Sequence, residues 1–243
     1  MLIDLHAHTR GISKCCRRSA EEVVSEAKQI GLDGIVLTNH YQKNYVSDGD
    51  YAAFLKRYKE EFHHTRQCGE AIGCKVFFGI EVTAERYPNV HFLIYGVDED
   101  FIDRYPLLFD YAQEELYRTV KENGGILLQA HPYRRQDRLC DVSLLDGVEI
   151  SCHPLYEGTH IDALTALAAR EGLLLTVGGD YHGDTYRPQC GVYLPDTLGS
   201  GKEIGAYLAS AEMLRTRVQE VDGSSPYDVT FCRTARGNAN SEG

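Results

Sequence analysis

Short continuous apolar runs alternate along the chain with longer stretches in which apolar residues recur roughly every three to four positions. Leu2 to Leu5, Gly34 to Thr38, Lys75 to Ile80, His91 to Tyr95, Ile126 to Ala130, Val148 to Ile150 and Leu173 to Val177 read as strands. Helices are predicted over Ser19 to Ile30, Tyr51 to Ala71, Tyr105 to Asn123, Ile161 to Glu171 and Lys202 to Leu214. Ser19 and Glu22 spell the S-x-x-E capping box at one helix start, and Gly31 suits that helix's end. Strands that stay apolar without alternating belong to a sheet covered on both faces, the mark of parallel strands flanked by helices. Roughly seven such units favour an α/β fold of TIM-like type, a single-domain β/α barrel, over an open doubly wound sheet. The barrel is expected to span residues 1–220. Residues 221–243, with Gly-Ser-Ser-Pro and Arg-Gly-Asn-Ala-Asn-Ser-Glu-Gly, read as a flexible polar tail.

Composition narrows the function. With 43% hydrophobic residues in 243, the chain can bury a sizeable core. The formal net charge of -11, from 36 acidic and 25 basic side chains, opposes non-specific binding to nucleic acid or anionic membrane. No run approaches ~18 uninterrupted apolar residues, so no membrane span is expected. The N-terminus lacks the positive start and apolar run of a signal peptide, which makes the cytoplasm the expected location. Eight scattered cysteines without a CxxC pair then read as reduced thiols.

The histidines carry the chemical signal. His6 and His8 form H-x-H at the end of the first strand, where alternation points both imidazoles to one side. His40 follows the strand ending at Thr38, Glu81 follows Ile80, and His131 follows Ala130. Asp180 and His182 follow the strand ending at Val177. In a β/α barrel such strand ends converge on one face, where the active site lies. His91 starts a strand; a hairpin would return it beside Glu81, and otherwise it is a half-buried strand histidine. His153 follows Val148 to Ile150, where Glu149 and Cys152 compete with it for the inward direction. His63 and His64 fit a solvent-facing helix, and His160 sits near a helix start.

Imidazoles with hard carboxylates suit two or three divalent ions of zinc, manganese or iron. Ions about 3.5–4 Å apart can share a bridging carboxylate, acidify bound water towards pKa ~7 and neutralise charge on a phosphate ester. No G-x-S-x-G elbow or P-loop lysine motif offers another route. Basic residues gather beside the histidine motifs: Arg10, Lys14, Arg17 and Arg18 after His8, Arg134 and Arg135 after His131, and Arg187 after His182. Arg10, Arg134 and Arg187 are the candidates for gripping phosphate, since a guanidinium can do so bidentately.

Taken together, Asp4-Leu5-His6-Ala7-His8-Thr9, Leu37-Thr38-Asn39-His40, Gly79-Ile80-Glu81-Val82, Val90-His91-Phe92-Leu93, Ala130-His131-Pro132 and Gly178-Gly179-Asp180-Tyr181-His182 resemble the PHP (polymerase and histidinol phosphatase) family. The resemblance extends from residue 4 to residue 182, in the family's order. It implies a distorted seven-stranded β/α barrel with up to three metals. On that likeness His6, His8, Glu81 and Asp180 would hold one ion, and Glu81 would bridge to a second on His91 and His131. His40 and His182 would serve a third. In the family an aspartate or histidine usually completes that third position a few residues after H-x-H. Here the loop reads Arg10-Gly11-Ile12-Ser13-Lys14-Cys15-Cys16. Cys15 or Cys16 could act as a soft ligand, the position could be open or empty, Lys14 could place a positive charge there, or both cysteines are inert.

The leading reading is a metal-dependent phosphatase that releases inorganic phosphate from a small phosphorylated metabolite, such as histidinol phosphate, a nucleotide or a sugar phosphate. Asp180 and His182 would act beside the arginines in catalysis. Two alternatives compete. One is an amidohydrolase-like barrel, which would bridge its metals with a modified lysine where this chain has Glu81. The other is a non-catalytic metal-binding regulatory domain.

Overall fold

A computed structural model describes residues 1–87, 89–134, 139–183 and 185–234. Arg135 and the 235–243 part of the expected tail lie outside the described residues. The strands are β1 (Leu2–Ala7), β2 (Gly34–Leu37), β3 (His40–Tyr41), β4 (Lys75–Phe78), β5 (Ile80–Thr83), β6 (His91–Tyr95), β7 (Ile126–Gln129), β8 (Gly147–Ser151), β9 (Leu174–Gly178), β10 (Gly191–Tyr193), β11 (Met213–Val218) and β12 (Tyr227–Cys232). The helices are α1 (Ala20–Gln29), α2 (Tyr51–Ile72), α3 (Asp100–Arg104), α4 (Gln113–Glu122), α5 (Ile161–Glu171) and α6 (Gly201–Ser210). No described helix is long and apolar enough to cross a membrane.

The result is a mixed α/β fold with two six-stranded sheets, ordered β12-β11-β10-β1-β2-β4 and β3-β5-β6-β7-β8-β9. An all-parallel ring was expected, and the pairing differs from it. β6 runs antiparallel to both β5 and β7, and β10 to β12 form an antiparallel extension beyond β1. The two sheets share chain: β2 leads into β3 across Thr38–Asn39, and β4 into β5 across Gly79. An isolated parallel bridge joins Ala7 to Tyr181, just after β9.

Local chemistry explains most boundaries. Ser19 accepts from the Glu22 amide while Glu22 accepts from the Ser19 amide, so the predicted capping box starts α1. The helix expected over Tyr105 to Asn123 is instead a short 3-10 turn, Leu108–Asp110, followed by α4. Pro106 disfavours helical backbone at the residue before it and lacks an amide hydrogen for the helix ladder. The last helix also stops early, at Ser210. From Met213 every second residue (Leu214, Thr216, Val218) is buried, and the chain becomes β11. β12, inside the expected tail, pairs with it from Met213↔Cys232 to Val218↔Tyr227. The described start of that tail is therefore sheet, held by a ladder its polar composition concealed.

A hydrophobic cluster of Ile3, Leu5, Val36, Phe77, Leu93, Leu128 and Leu174 draws on strands of both sheets. The larger cluster packs α1, α2, α4 and α5 against the sheets. Buried polar side chains gather where the strands end, with Asp4 and Glu149 buried inside β1 and β8.

Candidate metal centre

Eight side chains singled out from the sequence meet at one edge of the strands: His6, His8, His40, Glu81, His91, His131, Asp180 and His182. β1 delivers His6 and His8, whose rings lie 5.0 Å apart. His40 begins β3, directly opposite Glu81 on β5. His91 reaches the same edge because β6 is antiparallel, so its start lies beside the end of β5, with Thr83 opposite His91. The hairpin reading of His91 is therefore the one the fold adopts. His131 and Asp180 sit just beyond β7 and β9 in left-handed backbone, φ 30° and 49°. Such backbone costs about 1–3 kcal/mol per residue and persists where surrounding contacts hold it.

Glu81 is the hub. His6 Nε2 and His8 Nε2 each lie 3.4 Å from its Oε2, and His40 Nδ1 lies 2.5 Å from the same oxygen. Its Oε1 faces His91 Nδ1 at 2.7 Å and His131 Nε2 at 3.1 Å. Asp180 Oδ1 completes the inner group, 3.3 Å from His6 Nε2 and 3.1 Å from His8 Nε2. The donor atoms of His6, His8, Glu81 and Asp180 all fall within 4.8 Å of one another, and all four residues are buried.

The outward nitrogens are already engaged. His6 Nδ1 is 2.9 Å and 3.0 Å from the two oxygens of Glu149, and His8 Nδ1 is 3.0 Å from Ser13 Oγ. With a proton on each Nδ1, each Nε2 faces two carboxylate oxygens and needs a proton or a metal ion between them. Lone pairs that converge in a buried place repel unless a cation lies between them. His6 Nε2, His40 Nδ1 and Glu81 Oε2 are buried without a hydrogen bond. Those orphaned atoms and the nitrogen–carboxylate donor set fit divalent metal binding. His40, Glu81 and His91 form a second group with the same spacing, and His8, His40 and His182 a third.

Burial opposes charge on every member, and the charges answer one another. For Glu81, burial is outweighed by His40, His91 and His6, which hold the carboxyl well below its usual range. At Asp180, burial is outweighed by His6 and His182 in the same way. Burial at His6 is overcome by Glu149, Asp180 and Glu81, which raise it well above its ordinary value. At His40, Glu81 overcomes burial and lifts the ring to about 10. His8 goes the other way: burial, with His182 and His40 nearby, keeps it neutral.

Several supporting residues were not singled out from the sequence. Asp4 Oδ1 accepts from the His6 and Gly179 amides at 3.1 Å and 2.8 Å, tying β1 to the loop that carries Asp180. Glu149, weighed before only as a competitor of His153, also accepts from the His131 amide at 3.1 Å. Gly178 makes this possible, since a Cβ there would fall 2.3 Å from Glu149 Oε1 and 2.6 Å from His6 Cβ. The signal for Asp4 and Glu149 was an acid inside an otherwise apolar strand, which is rarely buried unless paired. Tyr156 donates a short hydrogen bond to Asp180 Oδ2 and stacks on His153 with ring centroids 4.2 Å apart. His153 offers a donor atom near Asp180 and His182, closer to the site than its weighing suggested.

The arginines separate. Arg134 stands at the mouth, donating to the Tyr156 hydroxyl at 2.8 Å. Arg10 is exposed, and its guanidinium lies 3.5 Å from the Arg17 carbonyl. Arg187 is a correction: it is buried behind the site and donates to Asp4 Oδ2 and the Val23 carbonyl, both at 3.0 Å. A guanidinium fixed on both sides under the sheet cannot reach a phosphate. Its task is to balance the charge of buried Asp4. Cys16 is buried as well, its thiol 3.4 Å from the His8 carbonyl. Lys14 lies over the Tyr45 ring at 4.9 Å. Cys15 is exposed, its sulfur 3.9 Å from the Tyr45 hydroxyl. The cysteines are free thiols.

No protein-family profile and no curated protein matches the chain. Solved structures do. A candidate metal-dependent phosphoesterase from Bifidobacterium adolescentis is similar with a TM-score of 0.55 and 18% identity, over 86% of this chain and 96% of that one. PsfC from Pseudomonas syringae gives 0.54 and 17%, over 94% and 90%. An amidohydrolase from Chromobacterium violaceum gives 0.48 and 16%, over 82% and 94%. At these identities the first two establish a shared fold, and the third likeness is too weak to add to it.

Proposed function

We propose that this protein is a PHP-type metal-dependent phosphoesterase that hydrolyses a small phosphorylated metabolite. The observation that carries the reading is the buried convergence of His6, His8, Glu81 and Asp180, with His6 Nε2 and Glu81 Oε2 left without a hydrogen bond. His6, His8, Glu81 and Asp180 would hold one ion, Glu81, His91 and His131 a second, and His40 with His182 a third. Ions bound there supply Lewis-acid charge that acidifies water and offsets the charge of a phosphate ester.

The chain's own residues do the rest. Glu149 and Ser13 hold Nδ1 of His6 and His8, so that with an ion in place each ring would offer it Nε2. Asp180 keeps one oxygen towards the cluster while Tyr156 holds the other, and His182 borders the mouth. Arg134, beside Tyr156, is placed to hold the non-bridging oxygens of a phosphate. In this reading the two sheets are staves of one distorted seven-stave ring. β2 with β3 and β4 with β5 act as single staves, and the Ala7–Tyr181 bridge closes it. An amidohydrolase would require a modified lysine at the hub, which here is the carboxylate of Glu81.

The test is a metal assay paired with a panel of phosphate esters that includes histidinol phosphate, nucleotides and sugar phosphates, run with zinc, manganese and iron. Turnover of at least one ester is expected, and its loss in His8→Ala. A metal-loaded protein inert towards the whole panel, or His8→Ala hydrolysing at the native rate, refutes the reading.

A further inference from the structure

A second group of metal-ligating side chains lies away from the centre, on the flank where α1 packs against α2. His64 and Cys68 stand four residues apart on α2, so one helical turn brings both to the same side, next to the buried stripe of Phe62, Thr65 and Gly69. Glu21 meets them from the first turn of α1. Its Oε1 lies 2.9 Å from His64 Nε2, and the Cys68 sulfur lies 3.9 Å from each ring nitrogen of His64. One donor atom from each of the three residues falls within 4.8 Å of the other two. Zinc bonds of about 2.0–2.3 Å at tetrahedral angles set ligand atoms roughly 3.3–3.7 Å apart. The observed separations straddle that range, and small rotations of three surface side chains would close it. The flanking bases are engaged elsewhere: His63 is 3.7 Å from Glu99, and the Arg66 guanidinium lies over the Phe62 ring at 5.3 Å.

We propose that Glu21, His64 and Cys68 form a zinc site that ties the start of α1 to α2, separate from the metal centre and independent of the activity proposed above. A carboxylate oxygen, an imidazole nitrogen and a thiolate together suit zinc and match magnesium or manganese poorly, and solvent water can take the fourth position. The thiol proton passes to solvent as the sulfur–zinc bond forms. The tie lies behind the loop that follows H-x-H. α1 begins where that loop ends, and Gly11 within it presses on α2 so closely that a Cβ there would fall 2.1 Å from the Glu61 carboxylate. Ser13 of the same loop holds His8. Bound zinc thus steadies the two helices against which that loop is packed.

The experiment uses the full-length protein, kept reduced, loaded with zinc alone and passed through gel filtration to remove loose metal. Zinc content and X-ray absorption are then measured. Among the described residues, the candidate groups of the metal centre contain no thiol, so a sulfur shell reports the surface site. A shell at about 2.3 Å is expected on part of the bound zinc. Cys68→Ser should remove that shell together with one zinc equivalent, and His64→Ala should lose the same equivalent. Native protein whose zinc has only nitrogen and oxygen neighbours overturns the inference. So does a sulfur shell that survives Cys68→Ser, since it belongs to another thiol. Zinc that stays on Cys68→Ser reports the metal centre by itself, so the failure of one site is told apart from the failure of the other.

Discussion

The inner and outer halves of the cluster are built differently. Around Glu81 the ligand atoms are buried and each imidazole of the H-x-H pair is held from behind, His6 by Glu149 and His8 by Ser13. At the mouth, His182 is held by one main-chain carbonyl, and Cys15 stands in solvent. The inner half is rigid where the outward nitrogens of His6 and His8 have fixed partners, which sets their geometry before any ion arrives. The outer half has fewer such constraints. The difference teaches that one cluster can combine a half whose geometry is set in advance with one that is less constrained.

The largest effect should come from the hub. Glu81→Gln keeps the shape but removes the charge that both inner positions share. We expect hydrolysis to fall to background and inner metal to be lost, read by turnover and metal analysis on protein whose circular dichroism is unchanged. Next comes the support beneath the inner half. Arg187→Met strands buried Asp4 without its counter-charge and should destabilise the fold by about 3–5 kcal/mol, measured by urea denaturation. A loss under 1 kcal/mol would show that Asp4 does not need the pair.

Glu149→Gln is milder. It keeps a partner for His6 but weakens it, and metal affinity or activity should drop about 10–100-fold. An unchanged affinity would mean that preorientation does not separate the two halves. The metal-free protein should also show a pH signature. His40 is raised to about 10 by Glu81, so the stability it contributes is complete below its unfolded value of 6.5 and is lost as pH rises towards about 10. Glu81, held low, contributes stability above its unfolded value of 4.5 that is lost as pH falls below it. Thermal scans of chelated protein should therefore fall on both sides of neutrality, by about 2–4 °C for each kcal/mol lost. Zinc-loaded protein should lack the alkaline decline, because an ion replaces the proton at His40. The smallest effect is expected at the rim: Arg10→Ala, which removes an exposed guanidinium resting on the Arg17 carbonyl, should leave kcat/KM unchanged and alter stability by less than about 0.5 kcal/mol.

Much of the site could be read locally. A histidine or acid directly after an apolar run is placed by its own strand, so His6, His8, His40, Glu81, His131, Asp180 and His182 needed no long-range information. His91 required the β5–β6 hairpin, which spacing allowed but did not require. Arg187 misled because nearness in sequence to His182 says nothing about which side of a strand a long side chain takes. Tyr156 lies in a loop whose course no periodicity describes. The fold was legible as alternating strands and helices, but not in its departures. Antiparallel β6 and the β11–β12 hairpin are decided by pairing between segments, and a polar strand such as Tyr227–Cys232 resembles a tail until its partner is known.

By itself, then, the sequence determined which residues stand at strand ends and what donor chemistry they bring, since strand alternation and ligand type are properties of neighbouring residues. The tertiary structure alone decided which residues hold the ligands from behind, and that Arg187 pairs with buried Asp4 instead of lining the site. Those outcomes depend on distances between segments up to 175 residues apart, as from Asp4 to Gly179, and on burial that leaves lone pairs facing each other. Only packing sets such distances, because the strength and even the sign of a buried electrostatic contact follow from what surrounds it.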